Sequence, residues 1–241
     1  MGQRLARREI EDGLQLYHQQ NHEAAIRKWK RALHRISGRR DRFVALGYLA
    51  AAHGDCGKYR DMLAYAVQQI DTANETESAA MRAEAYWNLA RSNERLCEYH
   101  KAVSYARHSL QNEPRDIRLH GYVYLCQANA YFGFSNFVSA LENLGRAMNI
   151  AKRCGDKPLE LHVFASLGHI FTCLKDYEKG LNFHMKAVAL AKSFDVCDIS
   201  WKYDRMTSLN VVTPYRKLGR YEEAMECCEV SLKAFIRCGY R

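Results

Sequence analysis

One spacing recurs along this chain and constrains its fold more than any other feature. An aromatic or His is followed three residues later by a small or apolar residue. The pairs are His22 and Ala25, Tyr59 and Met62, Tyr99 and Ala102, Phe137 and Ala140, Tyr177 and Gly180, and Tyr221 and Ala224. Successive anchors lie 37, 40, 38, 40 and 44 residues apart. Ten residues after them come Ala32, Gln69, Ser109, Ala147, Ala187 and Ser231; nine before come Gly13, Ala50, Ala90, Ala128, Gly168 and Val212. Six before come Leu16, His53, Asn93, Tyr131, Phe171 and Tyr215. Self-similarity with a period of roughly 20–50 residues marks a solenoid, in which each repeat buries its apolar face on the next.

The register is similar to that of the tetratricopeptide repeat (TPR), a helix–turn–helix of ~34 residues. The resemblance implies an all-α fold, a right-handed superhelical TPR solenoid of about six helical hairpins. Their expected bounds are 8–37, 42–74, 78–112, 117–154, 157–194 and 199–238, read as one domain spanning 1–241. Two helices approach closely only where small side chains stand at the contact and large ones fill the grooves beside it. Gly168 or Ala90 on a first helix and Ala102 or Ala140 on a second answer that need. The longer period is expected to lengthen the helices or the links.

Helical stripes support the division. Ile10, Leu14 and Tyr17 recur at helical spacing, as do Ile26, Trp29 and Leu33. The first helix is expected to start near Arg8. Ser37-Gly38 and Asn112-Glu-Pro114 read as stops. Pro214 falls inside the expected first helix of the sixth hairpin. It removes a hydrogen bond and crowds the preceding turn, so a kink or a restart is expected there.

Composition narrows the function. No apolar run of eighteen residues occurs, so no membrane-spanning helix is expected. The first thirty residues hold no signal peptide, and the nine Cys form no C-x-x-C, so a reduced, cytosolic chain without a metal site is expected. No nucleophile elbow, phosphate loop or carboxylate pair appears, and neither enzyme activity nor a cofactor is expected. After Cys238 only three residues remain and no capping helix, so the sequence reads as a piece of a longer protein or as one that covers its end by self-association.

Net charge is +9, and the excess is early: residues 1–42 hold eleven bases against five acids. Such a patch can meet nucleic-acid phosphate or anionic lipid. No nucleic-acid motif accompanies it, so no nucleic-acid partner is expected. The chain starts MGQRLARRE. Gly2 is the residue that the acylation pattern M-G-x-x-x-[ST] requires, although Ala6 stands where Ser or Thr is expected. Arg4, Arg7 and Arg8 would supply the basic second signal that a single acyl chain needs to hold a membrane.

Concave solenoid walls are the usual binding surface. Counting from the register, inward positions include Glu94, Arg91, Asn88, Glu84 and Ala83 in the third repeat. They also include Asn129 in the fourth, His169 in the fifth and Thr213 in the sixth, with Arg216 and Lys217 near the end of that last helix. Asn88, Arg91, Asn129, His169 and Arg216 are the candidate peptide-binding residues. An Asn one turn from an Arg can hold a peptide's amides and a carboxylate. The residues alone leave open a soluble peptide-binding adaptor of the kinesin-light-chain or cell-polarity type.

Several blocks go further: MGQ with IEDGLQLY, VQQIDTA (67–73), NLARSNERLCEYHK (88–101), KDYEKGL (175–181) and YRKLGRYEEAMECCEVS (215–231). Through them the chain resembles the rapsyn family of receptor-associated synaptic scaffolds. That resemblance implies myristoylation at Gly2 and self-association through the repeats. It further implies contact with the cytoplasmic loop of nicotinic acetylcholine receptors and a cytoskeleton-linked place on the cytoplasmic face of the postsynaptic membrane. The family's later repeats and RING-type zinc domain have no counterpart in this sequence, so ligase activity is not expected.

Overall fold

The computed structural model describes residues 2–112, 116–194 and 207–237. Among them the regular structure is helical: α1 (Gly2–His18), α2 (His22–Leu33), α3 (Arg39–Asp55), α4 (Tyr59–Asn74), α5 (Ala79–Arg95), α6 (Tyr99–Gln111), α7 (Ile117–Gly133), α8 (Phe137–Cys154), α9 (Lys157–Cys173), α10 (Tyr177–Lys192), α11 (Val212–Lys217) and α12 (Tyr221–Arg237). The anchor residue begins every second helix. The first helices of hairpins one to five each have 17 residues, so the long period goes into the helices.

The same turn closes each hairpin. The residue two before each anchor has positive φ: Gln20 64°, Gly57 70°, Cys97 60°, Ser135 60°, Lys175 64° and Gly219 77°. The N–H of the next residue reaches back to the carbonyl six before the anchor, as in Lys58 to His53 (2.9 Å), Glu98 to Asn93 (2.9 Å) and Arg220 to Tyr215 (3.0 Å). This is the Schellman closure, which satisfies carbonyls left over at a helix end. Side-chain N-caps then start several helices: Asn21 on Ala24, Ser78 on Met81, Asp116 on Arg118, Asp156 on Leu159 and Asp176 on Lys179. Each is worth about 1 kcal/mol.

The chain forms two compact units, 1–136 and 137–241. The boundary falls after the turn of the expected fourth hairpin. In a solenoid each element contacts only its neighbours, so cohesion can divide at any repeat. In the first unit each helix packs on the next from α1 to α7, and the first helices also touch in series, α1 on α3, α3 on α5 and α5 on α7. The second helices make no comparable series among the described residues, so the first helices form the tighter, inner layer. In the second unit α8 packs on α9, α9 on α10, α10 on α11 and α11 on α12.

The register is the packing. Ten residues after the anchors, Ala32, Gln69, Ser109, Ala147 and Ala187 are fully buried and Ser231 is 1% exposed. In hairpins two and three that residue is polar and binds the first helix of its own hairpin at one repeated place. Gln69 Nε2 donates to the Phe43 carbonyl at 3.3 Å, and Ser109 Oγ to the Ala83 carbonyl at 2.7 Å. Nine before the anchor, a small residue faces the residue seven after it. A Cβ on Gly13 would stand 2.4 Å from the Trp29 indole nitrogen, and one on Gly168 would stand 2.5 Å from the His184 ring. Ala90 and Ala106 meet in one core cluster at the same level.

Two expectations change. The first helix starts at Gly2, not near Arg8, because Ala6 is buried and Arg7 Nε pairs with Asp41 on α3 at 2.8 Å. The break expected at Pro214 falls at Val211, after a helical stretch at 207–210. Pro214 sits in the first turn of α11, where its missing N–H costs no helical bond. The expected stop at Pro114, and residues 199–206 and 238 of the sixth hairpin, lie outside the described residues.

His184 is fully enclosed against Gly168, and neither ring nitrogen has a hydrogen-bond partner. Burial, and secondarily His169, push its pKa down to about 3. The unfolded chain protonates this ring near pH 6.5. Stability is therefore complete above about pH 6.5 and falls as pH drops towards 3, because the unfolded state binds the proton first. Urea unfolding at pH 7.5 and 5.5 is expected to show a loss to which His184 contributes on the order of 1 kcal/mol, so that His184→Phe makes it smaller by that amount.

Candidate membrane-anchoring and peptide-binding surfaces

Gly2 is the first residue of α1, and Arg4 and Arg8 are exposed on the same helix. Arg7 is exposed too, but its guanidinium is held by Asp41, which raises its pKa through the hydrogen bond and the charge. Arg4 and Arg8 have no carboxylate at ion-pair distance among the described residues. Leu5, 47% exposed, stands beside them. The start of α1 therefore places Gly2, an exposed Leu and two open cations within two helical turns. Ala6, at the hydroxyl position of the acylation pattern, is 1% exposed and packed inward.

The peptide-binding candidates separate. Asn88 is 4% exposed and belongs to the inside of the molecule. Its Nδ2 donates to Gln69 Oε1 at 2.8 Å, while Gln69 also holds the Phe43 carbonyl and bonds the Glu84 side chain. One carboxamide thus ties α3, α4 and α5 together. This corrects the placement of Asn88 and Ala83 on the open wall: both turn into the helix seam. The row of α5 that reaches solvent is Glu84, exposed, with Trp87 and Arg91, both half-buried, at i, i+3 and i+7. Asn88 lies about 100° further round the helix.

Along that row Arg91 lies over the Trp87 ring at 4.8 Å, and Trp87 meets Tyr122 of α7 with ring centroids 5.8 Å apart. The cation is thereby pre-oriented on an aromatic face. Burial raises the pKa of Glu94 against the pull of Arg95 and Arg91. Desolvation also lifts Glu84, opposed by its hydrogen bond to Gln69. Asn129, half-buried on α7, belongs to this first unit. His169 and Arg216, both exposed, belong to the second. His169 meets the buried His184 edge-on at 4.9 Å. The row therefore brings together Arg91 with Trp87 and Tyr122. Gln69 is the residue whose role was missed. Its only sequence signal is a long polar side chain where other repeats carry Ala or Ser.

Among the described residues no helix is long and apolar enough to cross a membrane, and no three His, Cys, Asp or Glu gather as metal ligands.

Comparison with known proteins agrees with this architecture. Residues 1–80 match the rapsyn N-terminal myristoylation and linker region, and residues 215–234 match the tetratricopeptide repeat. The chain is 42% identical over 243 residues to the 43 kDa receptor-associated protein of the synapse of Gallus gallus, covering 100% of this chain and 59% of that one. It is 42% identical over 239 residues to the protein of the same name from Tetronarce californica, covering 98% and 58%. The chain thus spans under two thirds of the length of these relatives. Among solved structures, a Rap protein complexed with competence and sporulation factor superposes with a TM-score of 0.73 at 14% identity, covering 99% of this chain and 77% of that one. That likeness concerns the fold alone. The chain is thus similar to the rapsyn N-terminal region in its first 80 residues and to the 43 kDa receptor-associated proteins of the synapse throughout its length.

Proposed function

We propose that this chain is a peripheral-membrane TPR scaffold that self-associates through its repeats and gathers nicotinic acetylcholine receptors beneath the postsynaptic membrane. One observation carries the reading: Gly2 heads a surface helix whose exposed cations Arg4 and Arg8 flank it, within a stretch matching a myristoylation region. A single myristoyl chain binds a bilayer only marginally, and a basic patch supplies the second signal. The α5 row of Glu84, Trp87 and Arg91 is the surface offered to a receptor segment. An amphipathic helix from the receptor's cytoplasmic loop could set an apolar side against Trp87 and Tyr122 and a carboxylate against Arg91.

The test has two arms. Chain acylated by an N-myristoyltransferase is partitioned onto vesicles containing phosphatidylserine, beside Gly2→Ala. The variant is expected to lose bound protein on the order of tenfold or more. In the second arm, affinity for the receptor loop peptide is measured for the parent chain and for Arg91→Ala, which is expected to weaken it. Equal partitioning with Gly2→Ala would remove the anchor from the reading. Absence of peptide binding by the parent chain would remove receptor contact from these repeats.

A further inference from the structure

Acidic partners are distributed unevenly over the basic start of the chain. Residues 1–42 hold five acids. Four of them are committed: Glu9 to Arg35, Asp12 to Lys28, Glu23 to Arg27 and Asp41 to Arg7. Arg39 is likewise occupied, by the Glu75 carboxylate at 3.2 Å and the Glu75 carbonyl at 2.9 Å. The cations left without a carboxylate at ion-pair distance include Arg4, Arg8, Arg31 and Arg40. All four are exposed.

The fold brings these together at one corner of the first unit. The start of α1, the end of α2 and the start of α3 meet there. Gln3 Nε2 lies 3.4 Å from where a Gly38 Cβ would stand, and Arg7 spans from α1 to Asp41. Arg31 is in the last turn of α2 and Arg40 in the first turn of α3. Gly2, the acylation candidate, starts the helix that forms the corner's third side.

We infer that this α1–α2–α3 corner is a second, acyl-independent contact for anionic phospholipid headgroups, with Arg31 and Arg40 as its cations beside Arg4 and Arg8. The inference rests on the membrane reading above but uses residues outside α1. An acyl chain alone leaves a protein free to swivel about its attachment point. Cations on a separate helix pair give the bilayer a second point and fix which edge of the repeats faces it. An anionic surface attracts juxtaposed basic side chains additively, and the effect fades within a Debye length of ~8 Å at physiological salt.

The experiment uses the full chain made without N-myristoyltransferase, so that Gly2 carries no acyl group. It is sedimented with phosphatidylcholine vesicles with and without phosphatidylserine. Binding is expected only with phosphatidylserine, and is expected to fall on the order of tenfold in Arg31→Gln/Arg40→Glu. These changes suit the fold, since an acid in the first turn of α3 favours that helix and Gln places no negative charge at the end of α2. Thermal melts of parent and variant verify this. Lys152→Gln/Arg153→Gln, exposed in the second unit, is expected to bind as the parent does. The inference is overturned by any of three results: no dependence on phosphatidylserine, equal loss in the second-unit control, or tighter retention by single-stranded RNA than by the vesicles. Because acylation plays no part here, these results leave the Gly2→Ala comparison to decide the anchor separately.

Discussion

Asn88→Lys is expected to destabilise the first unit by on the order of 3–5 kcal/mol, measured as a lowered denaturant midpoint. Two costs combine. Gln69 Oε1 loses its donor in a buried seam, and an unmet acceptor costs about 1–3 kcal/mol. An ammonium then has to occupy a position that is 4% exposed. Glu84 lies one turn away and could draw the new charge outward, so Asn88→Leu is the cleaner cut. It removes the hydrogen bond without adding charge and is expected to cost about 1–3 kcal/mol. A midpoint unchanged in both variants would mean that the carboxamide does not tie α5 to α4. With the expected loss of stability, reduced peptide binding in Asn88→Lys has to be read against that loss, whereas Arg91→Ala reports on the row of α5 directly.

Gly13→Val is expected to cost about 3 kcal/mol or more, at or beyond the upper end of ordinary overpacking. The added Cβ alone would stand 2.4 Å from the Trp29 indole. That ring has no room to retreat. It is 1% exposed, its N–H donates to the Ile10 carbonyl at 3.0 Å, and it stacks on Tyr48 with centroids 5.3 Å apart. The mechanism is size exchange across one hairpin, so it has a signature beyond lost stability. Trp29→Ala in the Gly13→Val background is expected to cost much less than Trp29→Ala alone, because the valine partly fills the vacated space. A double-mutant cycle measured by urea unfolding checks this, and strict additivity would rule the contact out.

Much of the architecture was legible because it depends on local chemistry that repeats. The anchors mark the starts of the second helices, and the small residues nine before and three after them stand where helix axes converge. The turn was less legible. Its left-handed position is Gly only at residues 57 and 219, with Gln20, Cys97, Ser135 and Lys175 elsewhere. Tertiary context overrides their intrinsic preference, so composition concealed a repeated geometry. The size exchange between Gly13 and Trp29, and between Gly168 and His184, was present in the spacing. It is visible only once the residue seven after the anchor is compared with the one nine before.

The candidate sites were less legible than the fold. Counting along a helix assigned Asn88 and Arg91 to one wall, and they do lie only about 60° apart round it, yet Asn88 sits at the edge that meets α4 and is bonded to Gln69 there. The basic start was evident as a sum of charges. Which cations remain open was not, because Arg7, Arg27, Lys28, Arg35 and Arg39 meet their acids across helices or turns.

Sequence by itself determined the helical hairpins, their period and the small residues at their contacts, since hydrophobic spacing and side-chain volume are local properties read along the chain. Tertiary structure alone decided that α1 begins at Gly2, that Asn88 is spent on Gln69, and that Arg31 and Arg40 join Arg4 and Arg8 at one corner. Burial and ion pairing depend on which residues from distant segments share a few ångströms of space, and only the packed helices bring those segments together.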